Sequence, residues 1–441
     1  MREKGFIFDY AKCVGCHACI VACKNENHTV SPLSWRGVNA FNPKKIPLSG
    51  FLYLSLACNH CNEAPCLKAC PANAYSKDRI TGAIIHNPKR CIGCQYCTWV
   101  CPFDAPKFNP NTCIIEKCNL CNHLLVDGKT PACANNCPTG ALGFGEIDIN
   151  SNVDAAGFSS QKIFPRIKVN RPEIISSIPE MDIELNLIND NYKYKPKISS
   201  KIIAVKEWPL ILFTVIASVL SGWFSALSMN NEVSYNPIFY LSLGLFGIIL
   251  SAFHLGKPFR AINSLFNLKT SWLSREILFF MLFLICSLTY LQIYKNEIFF
   301  YISLLFSILM LLSIDKVYIA FSKNNIIYHS AGAVITAILF TFVFNYQVNF
   351  IIAILSLKAV LYIMQKNKQV RSKNKPLLSF LRVLLGFIFP FAIILFLNLA
   401  EYVFPFIIIG EIIDRYEFYD SLNVETPQSN LLKIESEYKS V

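Results

Sequence analysis

From Trp208 onward the chain is built of long apolar stretches, at about 209–229, 237–254, 277–294, 298–314, 331–346, 350–365, 377–398 and 402–413, separated by short polar loops. Each comes close to the ~20 residues a helix needs to cross a bilayer. The pattern predicts eight crossing helices with both ends of the set on one face. The last stretch is the least apolar, because Glu411, Asp414 and Arg415 crowd its end. Before residue 148 no such period exists. Residues 24–57 carry Pro32, Pro43, Pro47 and Gly50 and read as loops and short strands, and Arg79–Ile85 reads as a hairpin strand. Residues 148–207, rich in Asn, Ser, Pro and Lys, read as a linker or extension, and 420–441 as a polar tail. The expected organisation is a first domain over 1–147, the linker over 148–207, an all-α polytopic membrane domain over 208–419, and the tail.

Composition agrees with this division. Hydrophobic residues make up 53% of the 441 and charged residues only 16%, with 35 phenylalanines, which is too apolar for a soluble chain. The formal net charge of +12 calls for no nucleic-acid partner; its lysines sit mostly beside apolar segments, where they orient a membrane protein. Met1 to Cys13 holds neither an apolar run of signal-peptide length nor paired arginines, so no export signal is expected there.

The chemistry lies in the first domain. Residues 13–137 hold seventeen of the eighteen cysteines, and sixteen of these form four groups of four. The groups are Cys13, Cys16, Cys19 and Cys23; Cys58, Cys61, Cys66 and Cys70; Cys91, Cys94, Cys97 and Cys101; and Cys118, Cys121, Cys133 and Cys137. The first and third read Cys-x2-Cys-x2-Cys-x3-Cys, and Pro102 follows Cys101. This is the bacterial ferredoxin run, in which three thiolates bind one iron–sulfur cube and the fourth reaches to a neighbouring cube. A disulfide scaffold would spread its cysteines rather than cluster them, and structural zinc uses separated pairs. Pro71, Pro102 and Pro138 each follow the last cysteine of a group, and Pro138-Thr139-Gly140-Ala141 reads as a closing turn. The expected fold is α+β: two nested ferredoxin-like modules whose clusters replace much of the hydrophobic core. Cys113 and Cys286 read as incidental or packing thiols.

Ionisable residues inside the apolar half are costly and therefore mark function. His254 ends the second apolar helix, Glu276 opens the third, and the loop between them emerges on the side of the cysteine domain. A quinol that gives up two electrons also loses two protons, and a histidine and a glutamate can accept them. The competing reading is a pair of residues anchoring helix ends at the interface. Lys358, Glu411 and Arg415 are further candidates, which ion pairing between helices explains equally well.

The stretch RCIGCQYCTWVCPFDAPKFNP, followed by EKCNLCNHLLVDGKTPACANNCPTGALGFG, resembles the four-cluster electron-transfer subunit of dimethyl sulfoxide reductase. EWPLILFTV, FHLGKPFRAINSLFNLKTSWLSREI and IIIGEIIDRYEFY resemble the membrane anchor subunit of the same enzyme, so the chain resembles a fusion of two subunits that are usually separate. The resemblance implies cross-ligation. Cys13, Cys16 and Cys19 would share a cube with Cys137, and Cys118, Cys121 and Cys133 with Cys23. Cys58, Cys61 and Cys66 would pair with Cys101, and Cys91, Cys94 and Cys97 with Cys70. In related nitrate reductase subunits a tryptophan replaces one cysteine; all sixteen are present here, implying four 4Fe–4S clusters. Lys24 stands where the run's proline would follow Cys23.

The resemblance further implies oxidation of menaquinol or ubiquinol at His254 and Glu276, and onward transfer to a separate molybdopterin-containing catalytic subunit. The chain itself is then an electron-transfer and anchor subunit in contact with membrane lipid and the quinone pool. The alternative is the corresponding subunit of a nitrate, polysulfide or sulfur-oxyanion reductase, or of a formate dehydrogenase or hydrogenase feeding electrons into quinone. A structural zinc protein fused to a transporter is a third reading. Sidedness gives two answers. In the best-known relatives the iron–sulfur subunit lies outside the cytoplasm, whereas here sixteen lysines and arginines flank the helices on the cysteine-domain side against Lys295 alone on the other, which predicts the cytoplasmic face.

Overall fold

The computed structural model describes residues 2–30, 33–41, 52–149, 163–170, 202–229, 236–293, 295–319, 329–368, 375–397 and 399–422, with Val233 and Thr426. Most of the linker and nearly all of the tail lie outside them.

Among the described residues the first domain contains nine short strands: β1 (Arg2–Asp9), β2 (Gly37–Phe41), β3 (Leu52–Leu56), β4 (Tyr75–Lys77), β5 (Ile84–His86), β6 (Lys107–Asn109), β7 (Ile114–Glu116), β8 (Leu142–Asp148) and β9 (Ile167–Asn170). Its helices are α1 (Ala18–Asn27), α2 (Pro65–Ala69), α3 (Tyr96–Val100), α4 (Asn122–Val126) and α5 (Ala132–Asn135). β2–β3, β4–β5 and β6–β7 pair as hairpins, while β1 lies between β8, antiparallel, and β9, parallel, with Phe6 opposite both Phe144 and Ile167. β9 comes from the stretch read as linker, so residues 163–170 complete this domain's sheet. The hairpin expected at Arg79–Ile85 is displaced. Asp78 Oδ1 accepts from the Ile80 and Thr81 amides and Gly82 turns back at φ 68°, so residues 78–83 are the turn and Ile84–His86 the strand. Elements this short cannot enclose an ordinary core; the interior is made largely of cysteines packed with Phe6, Phe8, Leu54, Ile84 and Ile115.

The apolar half forms α6 (Trp208–Met229), α7 (Pro237–Phe253), α8 (Trp272–Leu288), α9 (Glu297–Ile319), α10 (Ala333–Phe344), α11 (Val348–Lys368), α12 (Pro376–Val383), α13 (Phe389–Ala392) and α14 (Phe404–Ser421). A five-residue π segment extends α8 to Ile293, and two more join α12 and α13 into one span, Pro376–Leu397, around Pro390. Among the described residues five helices are long and apolar enough to cross a membrane, or six if α7 is taken with the 3₁₀ segment Pro258–Leu265, which bends away by 100°. The expected eight are not all met. α10 has only 12 residues, about 18 Å at 1.5 Å per residue. α14 buries Glu411, Asp414, Arg415 and Glu417 along its length, and so faces protein rather than lipid. The span opened by α6 is the centre of the bundle, 78% buried against 22–33% for the other four.

Candidate functional site

The cysteine groups take their shape from the backbone before any side chain is considered. In the first group Gly15 and His17 both have positive φ, 68° and 64°; in the third, the matching Gly93 and Gln95 have 73° and 57°. His60 in the second and Leu120 and Cys121 in the fourth adopt the same left-handed region. A non-glycine residue there costs about 1 kcal/mol or more and persists only where surroundings impose it. Each such residue turns the backbone of its cysteine loop.

The thiols then sort by proximity. Burial raises the Cys13 thiol, and Cys19, Cys137 and Cys16 raise it further. Burial pushes Cys23 up to about 12, with Cys133 and Cys121 adding to it. Burial lifts Cys61 well above its usual range, with Cys58, Cys101 and Cys66 as its charged neighbours. Cys70 is held at about 11 by burial, opposed by the Ala74 and Ala72 amides and assisted by Cys91. Most of the sixteen thiols are buried, while Cys16 is exposed and Cys13, Cys94 and Cys137 are partly so; neighbouring thiols of this kind suit iron, because the metal deprotonates each sulfur and offsets the mutual repulsion. Two buried cations add to this. Lys117 donates to the Ile84 and Cys118 carbonyls, and Arg36 is 2% exposed with its Nε unpartnered. The donor set fits iron–sulfur clusters. Cys113, by contrast, donates its thiol to Pro110 O at 3.3 Å, and Cys286 lies within α8.

One loop ties the cysteine domain to the membrane half. Between α7 and α8, Asn267 Nδ2 donates to Cys70 O at 2.9 Å and Lys68 O at 3.2 Å, Ser271 Oγ to Ala69 O at 3.0 Å, and Ser274 Oγ to Pro71 O at 3.4 Å. Arg260 Nη1 donates to Cys91 O at 3.2 Å and Pro88 O at 2.8 Å, and the Lys257 amide to Ile92 O at 3.0 Å. Tyr96 on α3 donates to Val317 O of α9 at 2.6 Å. The loop thus grips the chain around Cys70 and Cys91 from both sides. Two glycines permit the approach: a Cβ on Gly256 would overlap the Cys113 carbonyl, and one on Gly93 would lie 2.8 Å from Gly256 Cα.

His254 and Glu276 sit at the two ends of this loop. His254 follows α7 and is half-buried, with Nδ1 unpartnered. Glu276 is buried in the first turns of α8, within electrostatic reach of Arg415 and Asp315. No hydrogen bond joins His254 to Glu276 among the described residues.

Lys358 and Glu411 form an ion pair at 2.9 Å, and Thr336 bridges them, accepting from Lys358 and donating to Glu411 at 2.9 Å each. Arg382 closes the cluster, at 3.2 Å from Glu411 and 3.0 Å from Asp414, to which Ser330 also donates at 2.8 Å. Arg415 stands apart from it, donating to Ala331 O at 2.8 Å with its guanidinium over the Tyr318 ring. Sequence reasoning missed Asp315 and Arg382 and noted Asp414 only as a charge at the end of the last stretch; Arg382 stands within an apolar run, and Asp315 and Asp414 directly follow one. Arg36, Asn267 and Ser271 gave no such signal.

Taken together, these features define an integral membrane protein with a built-in iron–sulfur electron-transfer domain. Residues 203–413 match the family profile described as DMSO reductase anchor subunit (DmsC), and residues 50–147 that of a 4Fe-4S dicluster domain. The thiosulfate reductase electron transfer subunit PhsB of Salmonella typhi is 39% identical over 145 residues, 32% of this chain and 75% of that protein. Protein NrfC of Escherichia coli (strain K12) is 35% identical over 167 residues, 37% of this chain and 74% of that one. The B subunit of the anaerobic dimethyl sulfoxide reductase of the same organism is 33% identical over 183 residues, 39% of this chain and 87% of its own length. The chain belongs to the dimethyl sulfoxide reductase family of membrane-anchored iron–sulfur electron-transfer subunits, with the iron–sulfur and anchor parts in one polypeptide.

Proposed function

We propose that this chain oxidises quinol at the membrane surface and delivers the electrons to a separate molybdopterin-containing catalytic subunit. The observation that carries the reading is the α7–α8 loop, which has His254 at one end and Glu276 at the other and holds the backbone around Cys70 and Cys91. Quinol oxidation releases two electrons and two protons. A neutral His254 imidazole can take one proton on the ring nitrogen that carries none, and Glu276, when ionised, can take the other. Arg415 and Asp315, oppositely charged and both near Glu276, let it change protonation state without leaving a lone buried charge.

Four 4Fe–4S clusters supply one-electron hops from the membrane face to the far end of the domain when bound. The ligand sets are Cys13, Cys16, Cys19 with Cys137; Cys118, Cys121, Cys133 with Cys23; Cys58, Cys61, Cys66 with Cys101; and Cys91, Cys94, Cys97 with Cys70. What supports this crossing is that the charged neighbours of Cys13 include Cys137, those of Cys61 include Cys101, and those of Cys94 begin with Cys70. The relatives' names span dimethyl sulfoxide and thiosulfate reductases, so the terminal acceptor belongs to the partner.

The iron–sulfur domain faces the cytoplasm in this reading. Its support is the charge bias, for Lys206, Lys257, Lys316 and Lys375 all flank helix ends on the domain's side. A reporter fused after Val441 tests it: a fluorescent protein should light and a periplasm-dependent phosphatase stay silent, and the opposite result restores the periplasmic orientation. For the quinol site, His254→Ala and Glu276→Gln should each abolish quinol-dependent reduction while dithionite still reduces the protein. Wild-type quinol kinetics in both variants would return the two residues to helix-end anchors.

A further inference from the structure

Arg36 precedes β2 and is among the most completely buried side chains of the molecule, at 2% exposure. A guanidinium taken out of water costs several kcal/mol unless an opposite charge meets it. Among the described residues no carboxylate does so: Arg36 Nη1 donates to Ser55 Oγ at 3.1 Å, its Cζ lies 4.7 Å from the centre of the Phe6 ring, and its Nε has no partner. Its direct contacts are thus a hydroxyl and a ring, with the cysteine thiols beyond them. Ser55 Oγ is also 3.4 Å from Cys19 Sγ, so one hydroxyl touches both the guanidinium and a thiol. Cys133, Cys118, Cys19 and Cys23, once ionised as cluster ligands, are the centres whose charge would reach Arg36. Three of these four belong to a single ligand set in the reading above, that of Cys23, Cys118, Cys121 and Cys133.

A cluster bound by four thiolates carries net negative charge that increases when it takes an electron, and nearby charge and solvent access are what set its potential. A fixed cation in a dry environment favours the more negative, reduced form. Arginine suits this task better than lysine or histidine, since it stays charged when buried. We infer that Arg36 is a redox-tuning residue that raises the reduction potential of the cube held by Cys23, Cys118, Cys121 and Cys133, and to a lesser degree that of the cube held by Cys19. The inference rests on the ligand sets proposed above.

The test is a redox titration followed by electron paramagnetic resonance on the anaerobically purified full chain, with iron content measured on each sample. Arg36→Gln removes the charge and keeps a hydrogen-bond donor. It should lower the reduction equilibrium constant of one cluster at least tenfold, a shift of about 59 mV to more negative potential for one electron, with a smaller shift in a second cluster and none in the other two. Arg36→Lys should recover most of the shift. Cys23→Ser identifies the signal of that cube. If the main shift in Arg36→Gln falls on a signal other than the one Cys23→Ser perturbs, the assignment of Arg36 to that cube is overturned. Full iron with unchanged potentials in Arg36→Gln overturns the inference. Should Arg36→Gln lose iron, Arg36→Lys decides: full iron with near-native potentials supports the charge role, and loss of iron there too makes Arg36 a packing residue and overturns it.

Discussion

Gly256→Ala should loosen the contact of the α7–α8 loop with residues 88–93 without unfolding either half of the protein. The new methyl group would overlap the Cys113 carbonyl and sit 3.2 Å from Phe108 Cε2, and the obstructing atom is backbone, which cannot swing aside. To relieve it, the loop must withdraw from residues 88–93. That breaks the Lys257 N to Ile92 O bond at 3.0 Å and the Gly256 N to Gly93 O bond at 3.4 Å, and it loosens Arg260 from Cys91 O and Pro88 O. At about 0.5–1.5 kcal/mol for each of these four bonds the sum is roughly 2–6 kcal/mol, or about 30-fold to 25,000-fold in the equilibrium constant for this contact. Iron content should be unchanged, because no cysteine moves. Quinol-dependent reduction, followed by bleaching of the visible absorbance under anaerobic conditions, should slow by at least tenfold, while dithionite reduction stays at the wild-type rate. Gly37→Ala is the control, since a Cβ there meets nothing within 4 Å. A wild-type quinol rate in Gly256→Ala would refute the argument that this contact is the electron entry.

Three further outcomes are expected. Cys58→Ser should cost a cluster's worth of the roughly sixteen irons that four cubes contain, whereas Cys113→Ser should keep them all; iron analysis decides, and a cluster lost from Cys113→Ser would overturn the ligand sets. Lys358→Met leaves Glu411 with a weakened counter-charge in the membrane and should destabilise by about 3–5 kcal/mol, seen as a lower melting temperature in detergent, with Lys358→Met/Glu411→Gln less affected than the single change. Burial, helped by the Lys117 ammonium, holds His86 at about 4. The unfolded chain therefore takes that proton first, and stability should fall as pH drops below about 6.5, by about 2 kcal/mol at pH 5. His86→Phe, which keeps the ring packed 5.0 Å from Tyr75, should flatten this slope in melting curves.

What the sequence disclosed follows the range of each interaction. Cysteine spacing is local, so the four groups could be read directly, whereas the left-handed residues that shape them, Gly15 and His17 repeated in Gly93 and Gln95, came only with the backbone. The apolar stretches gave the helices, but the expected count of eight crossings is not matched by the five or six helices that are long and apolar enough among the described residues. α10 starts only at Ala333, after a turn in which Asp315 receives the Ala333 amide at 2.8 Å, and α14 turns its charges inward to Lys358 and Arg382. Lys358 and Glu411 were visible as charges among apolar residues, yet their pairing depends on α11 meeting α14, which no local pattern encodes. Arg36 reads in sequence as an ordinary loop arginine; only the folded domain buries it near the cysteine thiols. The grip of Asn267 and Ser271 on residues 68–70 was likewise hidden, because polar residues in a loop read as solvated until a partner domain covers them.

The most direct measurement is electron paramagnetic resonance of the full chain, purified anaerobically in its oxidised state and mixed with a reduced menaquinol analogue in the absence of any catalytic subunit. The account predicts that reduced-cluster signals appear within the mixing experiment, with quinone formed in proportion. A protein that dithionite reduces fully but quinol leaves oxidised, at a quinol potential low enough to reduce it, would contradict the claim that this chain draws its electrons from quinol.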